Sequence, residues 1–235
     1  MTDETFAQTL DRLQTQLRRA MNGPAAESMR RAGIPFRLNY GASLLRLREL
    51  AQTLPKDPDI SRRLLGQDVR ELRLLGLMIL PFDKMNADDV LTYAREPVTL
   101  EEAEQWALLV ASVEPLTHTL LRRRSELRAT PMGRFLPYLL LAGWAATADE
   151  SGSDLIGKMI EEAYGALTES EPLPAATILR SLSKVAEKRP SSRPQLRALA
   201  SRLTAECAPG SVARAAGEEW TELLDFLDED HGRQD

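Results

Sequence analysis

The fold is decided by residues 31–54, RAGIPFRLNYGASLLRLRELAQTL, which predict a helix end, an extended loop and a second helix. Pro35 keeps the residue before it out of the helical region, and Gly41 allows a turn that a side chain would resist. Ser43 is suited to cap the helix that follows. The apolar residues of that helix recur at helical spacing and predict one buried face: Leu44, Leu47, Ala51 and Leu54.

Helical periodicity continues along the rest of the chain, and no segment shows the period-two alternation of a half-buried strand. The predicted helices cover residues 3–20, 24–32, 43–54, 57–66, 69–80, 87–95, 100–113, 116–127, 132–148, 154–168, 174–188, 191–206 and 211–228. Short connections favour antiparallel packing of consecutive helices. We therefore predict an all-α fold, an α-solenoid of degenerate HEAT-like helix pairs, as a single curved domain over residues 1–228. Residues 229–235 are predicted to be a disordered tail.

Two spacings resemble capping boxes, in which a cap residue and a glutamate three positions later satisfy each other's backbone N–H groups. The first is Asp68 with Glu71, and the second is Thr99 with Glu102. Within predicted helix 132–148, Pro137 indicates either a kink or a true start at Leu136.

Composition limits the classes of function. The 235 residues include 43% hydrophobic residues, enough for a real core, and the net charge is −5. This mildly acidic charge argues against a protein that coats nucleic acid indiscriminately. The lone Cys207 excludes an intramolecular disulfide bond. No apolar run is long enough to span a bilayer, and the acidic N-terminus does not resemble a secretory signal. We expect a cytoplasmic protein with no membrane partner.

Arginine is much commoner than lysine, and it occurs in clusters. The clusters are Arg62–Arg63, Arg70 with Arg73, Arg122–Arg124 with Arg128 and Arg134, and a basic group from Arg180 to Arg197. Arg180, Lys184 and Lys188 are spaced as a stripe along one helix. If the clusters share the concave face of a solenoid, they form a positive groove suited to a phosphate backbone. Alternatively, each cluster is a solvated helix face balanced by nearby glutamates.

Residues 24–205 resemble the DNA alkylation repair family, the AlkD-like alkylpurine DNA glycosylases built from HEAT-like repeats. Three stretches carry the resemblance: AAESMRRAGIPFRLNYGASLLRLRELAQ with its Tyr-Gly-x-Ser, EEAEQWALLVASVEP, and PMGRFLPYLLLAGW. The resemblance implies a positively charged DNA-binding groove and metal-free hydrolysis of the N-glycosidic bond of N3- or N7-alkylated purines, so no cofactor is expected. In that chemistry a carboxylate stabilises positive charge on the sugar, and aromatic faces hold the cationic base.

The family's functional residues are matched only in part. Trp106 lies where the family has an active-site aromatic residue, and Arg134 where it has an arginine. The essential acid should follow that tryptophan by one helical turn, where this chain has Val110. Glu102, one turn before Trp106, is the candidate substitute acid, although it also fits the capping box; Glu114 is a weaker candidate.

A second tryptophan of the family is not matched in this chain. Arg180 stands where the family has a second tryptophan. Trp106 also shares an apolar face with Ala103, Ala107 and Val110, and a tryptophan on such a face is more often a core residue than a site residue. The residues expected to contact DNA are Tyr40, Arg123, Arg124, Arg128, Arg134, Arg180 and Lys184.

Three functions are consistent with these features. The first is a glycosylase that excises alkylated purines. The second is a DNA-binding protein of the same fold that recognises damaged or distorted duplexes without catalysis. The third is a non-enzymatic helical scaffold for a protein partner, which the acidic last helix favours. DNA binding in an alkylation-repair setting, by a monomer, is the favoured hypothesis, and it rests mainly on fold-level analogy.

Overall fold

The computed structural model describes residues 3–147, 151–169 and 172–231. Across these residues the structure is helical and no strand forms, although an isolated parallel bridge joins Leu38 to Val69. The helices form two compact units, Met1–Leu109 and Val110–Asp235. No helix in the described ranges combines the length and the apolar character needed to cross a bilayer. The single domain over residues 1–228 stays a prediction.

The helices of the first unit follow the predicted boundaries closely. They are α1 (Asp3–Arg19), α2 (Gly23–Arg31), α3 (Leu44–Gln52), α4 (Pro58–Leu65), α5 (Arg70–Met78), α6 (Ala87–Tyr93) and α7 (Leu100–Ala111). The predicted cap of α3 is confirmed, because the side chain of Ser43 accepts a hydrogen bond from the Arg46 N–H at 3.3 Å.

The helices of the second unit depart from the predicted boundaries in three places. They are α8 (Glu114–Arg122), α9 (Arg124–Arg128), α10 (Leu136–Trp144), α11 (Ser151–Thr168), α12 (Pro172–Lys188), α13 (Arg193–Glu206) and α14 (Val212–His231). The helix predicted over 116–127 is divided at Arg123. Helix α10 begins at Leu136 with Pro137 in its first turn, where a missing N–H costs nothing. Helix α14 continues to His231, into the predicted tail; residue 148 and residues 232–235 lie outside the described part.

The loop between α2 and α3 folds back onto the start of α2. Gly41 has φ +69°, and a Cβ atom there would lie 2.2 Å from the Asn22 carbonyl oxygen. The adjacent Tyr40 carbonyl accepts a hydrogen bond from the Asn22 N–H at 2.8 Å. Only glycine combines this backbone conformation with so close an approach. The turn predicted at Gly41 is therefore confirmed, and its cause is the contact with α2.

A buried ion pair fastens the same loop to α5. The Glu71 carboxylate accepts hydrogen bonds from the Tyr40 N–H at 3.1 Å and the Ala42 N–H at 3.3 Å. Arg70 donates to Glu71 at 2.8 Å and to the Ala42 carbonyl at 3.0 Å. Burial would lower the pKa of the Arg70 guanidinium, but the hydrogen bonds and charges of Glu101 and Glu71 outweigh burial and raise it. The charges are thus compensated by a complete set of partners.

This arrangement corrects the capping box predicted at Asp68 and Glu71. Helix α5 has Val69 at its N-cap position and no side-chain cap. Asp68 instead accepts a hydrogen bond from the Arg37 N–H at 3.0 Å, and Glu71 binds the loop. The second capping box is confirmed, since the Glu102 N–H donates to Thr99 Oγ1 at 3.2 Å and the Thr99 N–H donates to Glu102 at 3.3 Å.

Within the second unit the helices pack in two layers. Helices α10, α12 and α14 lie side by side in one layer, and α11 and α13 lie side by side in the other. The layers are joined mainly by the packing of α13 on α14 and of α11 on α12. Large fully buried side chains fill the space between these helices, among them Leu141, Met159, Ile178 and Leu203. This layering decides which charged side chains can share one surface.

Replacing Glu71 by alanine should lower the free energy of unfolding by about 3–5 kcal/mol, because it leaves a buried arginine and two backbone N–H groups without their acceptor. Urea unfolding of wild type and variant measures the difference. The matched control is Glu49→Ala, which breaks an exposed pair with Arg46 and should cost less than about 1 kcal/mol. Equal losses from the two substitutions would contradict a structural role for the buried pair.

Candidate nucleic-acid interface

The two residues predicted to be catalytic lie on α7 and are both buried. Glu102 is 1% exposed. One of its carboxylate oxygens accepts a hydrogen bond from Arg73 Nε at 2.7 Å, and the other accepts from the Val98 N–H at 2.7 Å. Both oxygens are therefore occupied in holding the start of α7. This geometry supports the structural explanation of Glu102, and its role as the acid stays a prediction.

Trp106 is fully buried, with 0% exposure. Its helix neighbours Ala103 and Ala107, at 0% and 2%, form the same apolar face, and Val110, at the position expected for the acid, is also 0% exposed. Its indole N–H has no hydrogen-bond partner among the described residues. The surroundings of Trp106 are those of a core residue, and its role as an active-site aromatic stays a prediction.

The remaining predicted residues of the first unit are also held inside it. Tyr40, expected to contact DNA, is 5% exposed. Arg70 and Arg73, which the sequence groups as a basic cluster, have side chains 2% and 12% exposed and form ion pairs with Glu101 and Glu102. These two arginines are therefore not part of a positive surface, contrary to the clustering in the sequence.

The second unit brings Arg124 and Arg128 together on a carboxylate from α11. Arg124 Nε donates to Glu162 at 2.9 Å, and Arg128 Nη2 donates to the same carboxylate at 2.6 Å. The hydrogen bond from Arg124, with that of Arg128, holds the pKa of Glu162 below its ordinary value although partial burial opposes this. Arg123 is held locally, by a two-pronged contact with Glu126 at 2.7 and 2.8 Å. One acidic residue thus neutralises part of the predicted basic group.

A cleft runs along the C-terminal half of α11 and has a volume of about 480 Å³. We call it the α11 groove. Its lining residues are Arg128, Arg134, Glu161, Glu162, Tyr164, Gly165, Ala166, Glu169 and Arg202. Guanidinium groups therefore come from the α9–α10 connection and from α13, while the small residues Gly165 and Ala166 leave the helix surface open between them.

Arg134 is the exposed arginine of this groove that has no ion pair among the described residues. It lies two residues before α10, in a turn that packs closely on α9. A Cβ atom on the neighbouring Gly133 would lie 2.4 Å from the Leu127 carbonyl oxygen, so the turn requires glycine there. The close packing of Gly133 fixes the backbone from which Arg134 extends.

Two groove residues that the sequence analysis missed, Tyr164 on α11 and Arg202 on α13, contact each other and share a partner outside the lining, Glu206. The guanidinium carbon of Arg202 lies 3.7 Å from the centre of the Tyr164 ring. Glu206 accepts hydrogen bonds from the Tyr164 hydroxyl at 2.9 Å and from Arg202 Nε at 3.1 Å. The Tyr164 hydrogen bond lowers the pKa of Glu206, and the same bond raises the pKa of Tyr164. The sequence offers a partial signal, the i, i+4 spacing of Arg202 and Glu206.

The predicted basic stripe of α12 is not part of the groove. Arg180, Lys184 and Lys188 are exposed, but none of them lines it. Helix α12 belongs to the layer of α10 and α14, whereas the groove follows α11 and α13. The structure therefore brings Arg124, Arg128 and Arg134 to one region of the second unit, and leaves Arg180 and Lys184 on another helix layer. No cluster of three or more metal-binding side chains occurs in the described ranges.

Replacing Glu162 by glutamine should destabilise the protein by about 0.5–1 kcal/mol at pH 7, because the charged partner of two partly exposed arginines, Arg124 and Arg128, is lost. Since the folded-state pKa of Glu162 is lowered, its stabilisation is present above the ordinary carboxyl pKa and is lost as pH falls through the lowered value. Urea unfolding should therefore show a difference in free energy of unfolding between wild type and Glu162→Gln that is smaller at pH 3 than at pH 7. Glu161→Gln is the control and should change little at either pH; a difference for Glu162→Gln that persists in acid would be evidence against the ion pair.

Comparison with known proteins reveals a likeness of fold. A solved structure described as a new family of proteins related to the HEAT-like repeat DNA glycosylases, with affinity for branched DNA structures, matches with a TM-score of 0.69. The match covers 92% of this chain and 94% of that one at 10% sequence identity. No protein-family description and no curated protein matches the sequence. The prediction of an all-α fold of HEAT-like helix pairs is confirmed, and at this identity the likeness concerns the fold.

Proposed function

We propose that this protein binds DNA of branched or otherwise distorted structure through the α11 groove. The observation that carries the proposal is the groove itself, with Arg128 and Arg134 on one side, Arg202 on the other and the small residues Gly165 and Ala166 between them. Guanidinium groups bind phosphate oxygens in a planar, two-pronged geometry. Small residues on the floor let a sugar-phosphate backbone approach the helix closely.

The charge balance of the groove supports selective rather than indiscriminate binding. Glu162 already occupies Arg124 and Arg128, so a phosphate must compete with this carboxylate for them. Arg134 is available without such an exchange. A net charge of −5 further weakens non-specific attraction to DNA. DNA whose backbone bends into the groove, as at a branch point, can reach several of these arginines at once.

The fold neighbour supports DNA as the partner. The solved structure with this fold belongs to proteins described as having affinity for branched DNA structures. We propose that the present chain shares this type of ligand and binds it as a monomer in a DNA-repair setting. The fold permits such a function without determining it, and the arginines of the α11 groove supply the chemistry for it.

Excision of N3- or N7-alkylated purines is the more specific activity suggested by the family resemblance. A glycosylase acid must reach the sugar, and an aromatic residue must offer its face to the base. Glu102 and Trp106 are 1% and 0% exposed, and Glu102 is fully hydrogen-bonded. We therefore propose binding without base excision.

The alternative function is a scaffold for a protein partner. Helix α14 presents Glu218, Glu219, Glu222 and Asp225 to solvent, and Phe226 among them is 65% exposed. Exposed carboxylates suit a basic partner, although Asp225 already pairs with Arg197 and Glu218 with Arg214. The absence of DNA affinity in the experiment below would favour this alternative.

Replacing Arg134 by alanine should weaken binding to a four-way DNA junction about tenfold at low salt, because a charge-assisted contact to phosphate is lost. The slope of log affinity against log salt should decrease by about one. Fluorescence anisotropy with labelled junction and duplex at several salt concentrations measures both quantities.

Two controls locate the interface. Arg12→Ala removes an exposed arginine of α1 and should leave affinity and salt slope unchanged. Lys184→Ala tests the α12 stripe in the same assay. If Lys184→Ala reduces the salt slope and Arg134→Ala does not, the interface is the α12 stripe and the groove proposal is wrong.

A base-release assay on methylated DNA tests the proposal of binding without excision. We expect the wild-type protein to bind the junction but to release no alkylated purine above the uncatalysed rate. Release that is abolished by Glu102→Gln, with unfolding stability intact, would establish an excision activity and make Glu102 its acid.

A further inference from the structure

The contact between Tyr164 and Arg202 is unusual among the ion pairs of the second unit because it joins an aromatic ring, a guanidinium and a carboxylate. The guanidinium carbon of Arg202 lies 3.7 Å from the centre of the Tyr164 ring, within the range of a cation–π stack. Glu206 holds both partners by hydrogen bonds of 2.9 and 3.1 Å. The two planar groups are therefore fixed in place before any ligand arrives.

This stack is directed at a space that a ligand can enter. Tyr164 and Arg202 both line the α11 groove, and the Arg202 side chain is 53% exposed. With one face of the guanidinium on Tyr164, the opposite face is available to a second planar group. A volume of about 480 Å³ lies within the range of pockets that hold small organic ligands.

The charges along the groove favour a ligand with a planar part at one end and an anionic part at the other. Glu161 and Glu206 accompany Arg202 and disfavour a phosphate at that end; of the other lining carboxylates, Glu162 is paired with Arg128, and Glu169 adds a further negative charge to the groove. Arg134, which has no ion pair among the described residues, favours a phosphate at the other end. A nucleotide has both parts, a flat base and a phosphate.

We infer that the Tyr164–Arg202 stack is a platform for one unpaired nucleobase of a branched or gapped DNA, with a neighbouring phosphate bound at Arg134. The inference rests on the proposed DNA-binding function and specifies which part of the DNA is recognised. Bases inside a duplex have both faces covered by their neighbours. Only a base that is unpaired and unstacked can lie on a guanidinium plane or an aromatic side chain.

The experiment compares a fully paired four-way junction with the same junction carrying one unpaired 2-aminopurine at the branch point. Stacking quenches 2-aminopurine fluorescence, so the probe reports the platform directly. Wild type should bind the junction with the unpaired base about tenfold more tightly than the fully paired one, and it should quench the probe.

Two substitutions remove the platform in different ways. Arg202→Lys keeps the positive charge but removes the planar group, and Tyr164→Leu removes the ring beneath it. Each should lower the affinity ratio between the two junctions about tenfold and abolish the quenching. The matched control is Arg214→Lys on α14, since Arg214 also pairs with a glutamate four residues later, and this variant should retain both the ratio and the quenching.

The outcomes separate this inference from the proposed function. If junctions bind but both platform variants keep the wild-type ratio and quenching, the platform is wrong and DNA binding stands. If wild type binds neither junction at low salt, DNA binding itself is wrong and the platform with it. If the two platform variants unfold at the same urea concentration as wild type, misfolding is excluded as the cause of a lower affinity ratio between the two junctions.

Discussion

The first unit depends on the buried pair of Arg70 and Glu71. Removing two charges from water is costly, and the cost is offset only when every hydrogen-bonding atom finds a partner. Glu71 obtains its partners from the backbone N–H groups of Tyr40 and Ala42. Arg70 obtains its partners from Glu71, Glu101 and the Ala42 carbonyl. The loop with Gly41 therefore supplies the backbone groups that satisfy the pair, and through the pair it links α2, α3, α5 and α7.

The local parts of this fold could be predicted from the sequence, and the long-range parts could not. The cap at Ser43, the turn at Gly41 and the start of α10 at Leu136 depend on residues within a few positions of each other. Glu71 was assigned to a capping box because its spacing from Asp68 fits one. Its true partner, the Tyr40 N–H, lies 31 residues away. Spacing alone gives no information about such a contact.

In the candidate site, too, the sequence does not reveal which charged residues pair with each other. Arginine clusters were visible in the sequence, but the acids that bind them were not. Glu162 lies 38 residues from Arg124 and 34 from Arg128, and Glu102 lies 29 from Arg73. Arg134 lies exposed in the groove and its DNA contact stays a prediction, whereas the sequence gives no signal for Tyr164 because its partner Glu206 lies 42 residues further on. Counting basic residues in the sequence therefore overestimates the positive surface of the folded protein, because many of them are paired with acidic residues.

These internal pairs bear on how the proposed DNA binding of an acidic protein could be selective. DNA holds a layer of condensed counterions, whereas a single exposed arginine does not. Each contact between an arginine and a phosphate releases counterions from the DNA, and this makes binding depend on salt concentration. When Arg128 leaves Glu162 for a phosphate, it gives up its ion pair and leaves a negative carboxylate beside the phosphate, and both effects offset part of the gain. In the proposed complex, binding becomes favourable only when one DNA segment reaches Arg134 together with a second contact in the same groove. A straight duplex offers phosphates alone, whereas a distorted one can also offer an unstacked base, so under this proposal the ion pairs within the groove would favour distorted DNA over duplex.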